Sequence, residues 1–584
     1  MKKIFLPLLL IIFFLSACDK SLDVPPQNII QDEAVFSNES AIEVYIAGLY
    51  YDLPVEDFNF SPNGFNVWIS GGRTLAHLSD EAIANRTDNS NGIGDGTWLN
   101  WWGYAPVRNA NYFLEKIKTA KFPDVQKNSW LGEVKFLRAY YYFAMVKRYG
   151  GVPLLTTVQN FTGNNLEELK VPRNKEVEIY DFINTELTEA IGFLPETSAA
   201  GRTNKYVALS LKSRAMIYAA SEAKYGKVAI DGLVGIAASE ANRFWQAAYD
   251  ATSEIIKSGK YSLYAKNTNK AQNFQDLFLD AANPEVIFKK LFQYPQKTHS
   301  YDLWNLPYSV RSPSGYSSRL NPTLDLVEEF EYTDGTPGKL KLNTGSTPIE
   351  YKDPKDLFTN KDPRFFATII YPFDTWKSSV IDIRAGIITT TGETVKSGSV
   401  NGMDALGQNG VGNSGGEVTQ TGFYTRKYLN PAYDRSTVKD WTSAQSYIDF
   451  RLAEIILINA EAALELGKTA DALTDLNLIR ERAGIKLLTA AEVTINKIRH
   501  EKMVEFAFEG HRYWDIRRWK IADNLLNNRK MRGIEPYYVQ KTGAYIFTDV
   551  EVGFVKTFPA SLYYEKINTS EISKNSKLIQ NPNY

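Results

Sequence analysis

Apolar positions recur at helical spacing in two blocks of the chain, and the stretch between the blocks lacks that spacing. In the first block Trp130, Val134, Leu137, Tyr141 and Ala144 follow one another at steps of four and three, which puts them on one face of a long helix. Gly150-Gly151-Val152-Pro153 stops it. The same pattern predicts helices over Glu39 to Tyr51, after a Ser37 or Asn38 cap, and over Pro106 to Lys118, Lys175 to Phe193, Thr203 to Lys224 and Glu240 to Ser258. Ala208, Ala215, Tyr218 and Ala219 put small residues where helices can approach closely. Paired helices in succession predict a mainly α, tetratricopeptide-like helical-repeat scaffold, although no full repeat consensus returns at a fixed period.

From about Tyr261 to Asp440 the pattern changes. Pro, Gly, Asn, Ser and Thr dominate, with short β-type runs at Glu285 to Phe292 and Phe366 to Tyr371 and a Gly/Asn/Ser-rich stretch from Thr391 to Gly422. Long irregular stretches inside a compact protein are usually functional loops or disordered ones. Helical spacing then resumes over Tyr447 to Leu466, ended by Gly467, over Thr469 to Arg482 and over Ala490 to Phe508. The expected organisation is an N-terminal helical region, 28–260, and a second region, 261–584, packed as one globular unit. The second region holds a loop-rich insertion, 261–445, with short strands for ligand binding, and closing helices, 446–525.

The first residues have the parts of a secretory signal, 1–17: Lys2 and Lys3, an apolar core from Ile4 to Leu15, then small residues. That core is too short to cross a bilayer, which takes roughly 20 apolar residues. Leu15-Ser16-Ala17-Cys18 resembles the lipobox of bacterial lipoproteins, in which the cysteine becomes the lipidated N-terminus. Stable anchoring takes more than one acyl chain, and the lipoproteins it resembles carry several. Residues 18–27, with Pro25-Pro26, read as a semi-rigid tether. Cys18 is the only cysteine, so no disulfide supports the mature chain. Lys plus Arg is 66 against 67 Asp plus Glu, a net charge of -1, which leaves no global field for nucleic acid or anionic lipid. Aromatic residues make up 13%, with 34 Tyr and 11 Trp; many suit a core, and Tyr and Trp also present a large rigid face with a polar handle.

Four separated motifs carry a family resemblance. Phe136-Leu137-Arg138-Ala139-Tyr140-Tyr141-Tyr142-Phe143 with Arg148-Tyr149-Gly150-Gly151-Val152-Pro153-Leu154, Arg451-Leu452-Ala453-Glu454-Ile455 with Asn459-Ala460-Glu461-Ala462, Ile498 to Trp519, and the ending Gln580-Asn581-Pro582-Asn583-Tyr584 resemble signatures of the SusD/RagB family of outer-membrane nutrient-binding lipoproteins. The resemblance implies ligand loops opposite the helical-repeat side and a SusC-like TonB-dependent transporter as partner, over whose barrel the lipoprotein acts as a lid. It also implies the cell outer membrane, surface-exposed, whereas Asp19 after the cysteine is an inner-membrane retention signal in some bacteria.

The motifs themselves read as structural. Glu501, Glu505 and Glu509 would repel on one helical face, and Arg499, Arg512, Arg517 and Arg518 are the near partners for an ion-pair lattice. Arg451 and Glu454, one turn apart, read as a packing pair. His500-Glu501 opens like a zinc-protease motif, but Val504 stands where the second histidine belongs. Gly412 to Gly416 matches a nucleophile elbow without the strand and helix that strain the serine, and Gly92 to Gly96 lacks a phosphate-loop lysine. Asp88 to Leu99 opens like a calcium loop and ends on Leu99 instead of Glu. No catalytic residue, metal ligand or cofactor is expected; a calcium site elsewhere is left open.

Binding remains, and an oligosaccharide offers C–H faces for aromatic rings and hydroxyls for Asn, Asp and Arg. Two stretches interleave such residues: Asp80, Arg86, Asn89, Asn91, Trp98 and Asn100-Trp101-Trp102-Tyr104, and Tyr294, His299, Tyr301, Trp304, Tyr308, Arg311 and Tyr316. Among these Asp80, Arg86, Trp98, Trp101, Trp102, Tyr294, Trp304 and Tyr308 are the expected ligand-binding residues. The expected function is capture of an oligosaccharide nutrient for a transporter, without catalysis. A peptide-binding lid of the same family, or a surface glycoside hydrolase using Asp80 and Glu81, are the alternatives.

Overall fold

The computed structural model describes residues 32–58, 74–85, 99–412 and 417–584. The signal segment, Cys18, the tether, the stretch 86–98 with its calcium-like opening and glycine loop, and residues 413–416 lie outside them.

Helix α1 (Glu39–Tyr51) starts where Asn38 Oδ1 accepts the Ala41 N–H at 3.1 Å. After α2 (Tyr104–Lys116) comes α3 (Asp124–Tyr149), with Asp124 in its first turn and Lys147 and Arg148 in its last, both matched to the helix dipole. Gly150, at φ +72°, ends it; a side chain there would bring Cβ to 2.7 Å from the Leu233 carbonyl. The sequence predicts one buried face on α3. Instead every residue from Phe136 to Val146 is buried, because α1 and α2, then α4 (Glu176–Phe193) and α5 (Lys205–Tyr225), enclose it.

Helix α6 (Ala241–Ser258) packs on α5, and α7 (Lys270–Leu277) follows. The chain then leaves the row and returns to it: α9 (Leu452–Glu465) packs against α6 and α10 (Thr469–Ala483) against α9. The molecule is mostly helical, with the row α3–α4–α5–α6–α9–α10 as its scaffold. The excursion begins and ends at one antiparallel ladder, β1 (Val286–Lys290) beside β4 (Tyr447–Arg451), with Lys290 opposite Tyr447 and Arg451 opposite Val286. A single buried apolar cluster runs from Phe36 to Ile567 and draws on both regions.

Three elements differ from expectation. Residues 447–451 form β4 rather than the start of a helix, because β1 pairs with them. Residues 366–368 belong to helix α8 (Pro363–Thr368), which Asp362 initiates by accepting the Arg364 N–H at 2.8 Å, with Pro363 at the first position. After α11 (Ile495–Glu505) and α12 (Arg512–Arg518), the chain forms a long hairpin that helical periodicity does not reveal, β5 (Arg529–Val539) and β6 (Ala544–Lys556). Between them, β2 (Gly386–Ile388) and β3 (Thr394–Val395) complete a four-stranded sheet in the order β3-β2-β5-β6.

The three carboxylates of the sequence motif do lie in an ion-pair lattice, but with other partners. Arg364 bonds Glu501 at 2.7 Å and Glu505 at 3.0 Å; Arg480 bonds Glu501 and Glu331, both at 2.9 Å. Arg451 reaches Glu285 at 2.8 Å, Glu505 at 2.6 Å and Glu509 at 2.7 Å. Arg482 adds Glu285 at 3.0 Å and Glu505, and Lys427 adds Glu509 at 3.0 Å. Arg512, Arg517 and Arg518 lie elsewhere because Phe508 and Gly510, both at positive φ, turn the chain before α12. Arg512 pairs with Asp80, Arg517 with Glu565 and Arg518 with Glu461, while Arg499 lies over the Tyr225 and Trp519 rings. Glu454 likewise takes Arg214 at 2.6 Å instead of Arg451.

Burial pushes the Glu505 carboxyl up, yet the guanidiniums of Arg482, Arg451 and Arg364 overcome it and hold it well below its ordinary 4.5. A carboxyl depressed in the folded state contributes stability that is complete above its unfolded pKa and is lost as pH falls toward its folded one. The melting temperature is therefore expected to fall as pH drops below 4.5, the ordinary glutamate value. Glu505→Gln, which leaves Arg451 and Arg482 buried without their shared carboxylate, is expected to lose about 3–5 kcal/mol in urea unfolding and to show a shallower acid dependence. A loss within error would show that the lattice does not hold the fold.

Candidate functional site

Of the first aromatic stretch, Arg86, Asn89, Asn91 and Trp98 lie outside the described residues. The rest is spent on structure. Asp80 is buried and takes two hydrogen bonds from Arg512, at 2.8 and 2.7 Å. Burial raises its carboxyl, Arg512 outweighs that, and the pKa ends lowered, so Asp80 is a structural ion-pair partner and not a ligand contact. Its neighbour Glu81, pushed up to about 7 by burial, accepts the Phe508 N–H at 3.1 Å and is as inaccessible, which removes the carboxylate pair of the hydrolase alternative. Trp101 is 3% exposed, its ring 6.0 Å from Tyr141 of α3. Trp102 meets the Tyr149 ring edge-on at 5.2 Å, and the Tyr104 hydroxyl donates to the Pro153 carbonyl at 2.6 Å. Trp101 and Trp102 therefore cover the end of α3, since the aromatic spacing that suits a binding loop also suits a helix-packing segment.

The second stretch builds a wall. Its short helix Tyr301–Asn305 carries Asp302, a buried carboxylate that accepts the Asn430 N–H at 2.8 Å, the Ser443 hydroxyl at 2.6 Å and the Gln445 amide at 2.7 Å. Burial raises its pKa, partly offset by these donors. His299 pairs through its backbone with Ser443 in both directions at 2.9 Å, and its Nε2 meets the Gln445 carbonyl at 2.9 Å; burial lowers its pKa to about 3, so the ring is neutral and structural. The loop over 428–445 is thus lashed to the helix. Trp304 is 4% exposed and stacks on Tyr316 at 4.3 Å beneath the Arg319 guanidinium, so it holds the wall and offers little ring to a ligand. Tyr308 is half-buried under Arg311 at 4.0 Å, and Tyr294 is exposed.

The other face of this helix opens on a cleft of about 250 Å³. Asp302, Leu306 and Val310 form one side; Trp376, Lys377, Asn430, Tyr433, Asp434 and Arg435 lie around the rest. Trp376 stands on the hairpin formed by Thr375–Trp376 and Ser379–Val380. Lys377 Nζ donates to the Tyr433 carbonyl, tying that hairpin to the opposite loop, and the Tyr433 hydroxyl accepts the Ala444 N–H at 3.1 Å. The geometry supplies aromatic carbon beside planar polar groups on a braced frame. Trp376, Tyr433, Asn430 and Arg435 are absent from the sequence-predicted set. The same criterion, aromatic rings among Asn, Asp and Arg in a loop, applied to 371–377 and 428–435, finds them. A larger groove of about 480 Å³ between α5 and α6 is rimmed by Lys205 and Glu254, which pair with each other at 2.7 Å. Among the described residues no three His, Cys, Asp or Glu side chains are grouped to hold a metal ion.

The model of the SusD family matches residues 284–584, just over half of the chain. The protein belongs to the SusD family. A second family model, described as "Starch-binding associating with outer membrane", matches residues 20–217. SusD-like protein P38 of Formosa agariphila is 24% identical over 539 residues, spanning 88% of this chain and 90% of its own. A SusD-like carbohydrate-binding protein from Bacteroides fragilis has a solved structure that superposes with TM-score 0.70 at 25% identity, covering 94% of this chain and all of its own. A laminarin-binding SusD-like protein superposes with TM-score 0.60 at 20% identity, again covering 94% of this chain and 100% of its own.

The SusD-family motifs sit in the helical row and the ion lattice, and the cleft lies apart from them, on the loops of the excursion. Asp302 is the residue joining the two sides of that cleft. Asp302→Ala, which strips three donors of their acceptor, is expected to cost about 2 kcal/mol and to open 428–445 to limited proteolysis ahead of global unfolding. An unchanged cleavage pattern would show that the loop is held by something else.

Proposed function

We propose that this SusD-family protein is a cell-surface lipoprotein that binds an oligosaccharide without cleaving it and delivers it to a SusC-like TonB-dependent transporter in the outer membrane. The cleft carries the reading. Half-buried Tyr433 supplies ring surface for the apolar face of a sugar, with the buried Trp376 in the cleft wall, and Lys377, Asn430, Asp434 and Arg435 supply donors and acceptors for its hydroxyls. Relatives named for carbohydrate and laminarin binding share the fold, which supports a glycan over other ligands.

The state of the carboxylates supports binding rather than hydrolysis. A retaining glycosidase places two free carboxyls about 5–5.5 Å apart, one as nucleophile; here Asp302 is engaged by three donors and Asp434 by the Ser436 hydroxyl and N–H. Attachment is assigned to lipid on Cys18. No helix among the described residues is long and apolar enough to cross a membrane.

Calorimetry against a glycan panel that includes starch and laminarin oligosaccharides tests the site. Binding is expected without release of reducing ends, and Arg435→Ala and Tyr433→Phe, which keeps the packed ring, are together expected to weaken it about tenfold with only a small change in melting temperature. Binding of peptides alone, or sugar release, would overturn the reading. Cys18→Ala is expected to move the protein from the membrane fraction to the soluble one with its glycan affinity intact.

A further inference from the structure

Among the described residues, every tryptophan other than Trp441 is buried or half-buried, whereas Trp441 is 51% exposed. It also sits at φ +60°, a left-handed conformation that bulky residues avoid. A large apolar side chain placed in solvent on an unfavourable backbone gains nothing for folding. Such an outlier is a reason to look for function at that position.

The backbone holding the ring is fixed. The Trp441 N–H donates to Ser300 Oγ at 2.9 Å, the Lys439 N–H donates to Thr442 Oγ1 at 2.9 Å, and Ser443 is paired with His299 in both directions. Two of these anchors lead to the cleft: Ser300 immediately precedes the helix whose Asp302 lines it, and the Ser443 hydroxyl donates to Asp302 at 2.6 Å; Val438, three residues before Trp441, lines it too. The cleft, at about 250 Å³, is smaller than the roughly 300–1,000 Å³ of pockets that enclose a whole drug-sized ligand, so any longer glycan must run out over its edge.

We infer that Trp441 is an outer subsite: a preset aromatic platform at the edge of the cleft that stacks on a pyranose unit of an oligosaccharide too long for the cleft to enclose. The inference rests on the glycan-binding reading of the cleft and adds to it a preference for length. A flat ring on a braced backbone has few torsions to lose on contact, which suits stacking against the C–H face of a sugar.

The positive φ gives the test two opposed readouts. Trp441→Gly removes the ring and relieves the backbone, so its melting temperature is expected to equal or exceed that of the parent. Its affinity for long members of a bound glycan series is expected to fall about tenfold, with disaccharide affinity unchanged, and Trp441→Phe is expected to retain most of the long-oligomer affinity. In the unsubstituted protein, N-bromosuccinimide is expected to oxidise Trp441 readily, and the long oligomer to protect it, as read by peptide mass spectrometry. Equal affinity of Trp441→Gly and parent for the long oligomer, or oxidation unaffected by it, would overturn the outer subsite while leaving the cleft in place. If the parent binds no glycan of the panel, the reading of the cleft fails first and the outer subsite with it.

Discussion

The buried meeting of Arg451 with Glu285, Glu505 and Glu509 is the constraint on which the rest of the molecule depends. Arg451 ends β4 and Glu285 directly precedes β1, so one ion pair joins the two ends of the excursion that carries the cleft. Glu505 and Glu509 bring in the C-terminal helices, and Arg364, Arg480 and Arg482 extend the contact to α8 and α10. Removing such charges from water costs several kcal/mol per ion, and mutual attraction repays it only when the geometry is met throughout. A slip of the β1–β4 ladder by one residue would break several of these pairs together. Apolar packing of the same volume would tolerate that slip far better, so the lattice specifies register as well as holding the parts together.

That rigidity continues outward to the ligand side. The excursion has little regular structure, with most of its strands two residues long, yet its polar backbone is tied down by buried side chains: Asp302 to three donors, His299 to Gln445, Asn409 to the Ser309 N–H at 2.9 Å. Loops so braced lose little entropy when a ligand arrives, which favours the glycan-binding role proposed for the cleft.

The helical row was legible because its periodicity and stop signals are local: α1 spans the predicted residues, and α4, α5 and α6 begin or end within two residues of the predicted bounds. The all-round burial of α3 was not legible, since it depends on what packs against the helix from distant sequence. The same distance explains the ion pairs. A lattice was evident from three like charges on one face, but its partners Arg364 and Arg451 lie 141 and 54 residues from Glu505. The first strand of hairpin β5–β6 does not alternate strictly: Met531, then Gly533 with Ile534, then Pro536 with Tyr537 are buried, separated by Arg532, which pairs across to Asp325 and Glu328, and by Glu535. Those charges masked the strand pattern.

Of the residues the sequence offers for the candidate site, Asp80, Trp101 and Trp304 are buried in the scaffold, and the reason separates scaffold demands from those of a binding surface. Scaffold positions carry strict demands, such as a carboxylate at Glu505 that must meet three guanidiniums, and strict demands leave motifs. A sugar-binding wall asks only for rings and planar polar groups on braced loops, and Trp101 meets that description as well as Trp376 does. Both are 3% exposed and only their place separates them, Trp101 against Tyr141 and Trp376 in the wall of the cleft, whereas Trp441 is set apart by exposure and backbone, held in solvent at positive φ. In a fold whose recognisable residues are spent on holding it together, candidates for ligand contact are best sought among residues for which folding gives no reason.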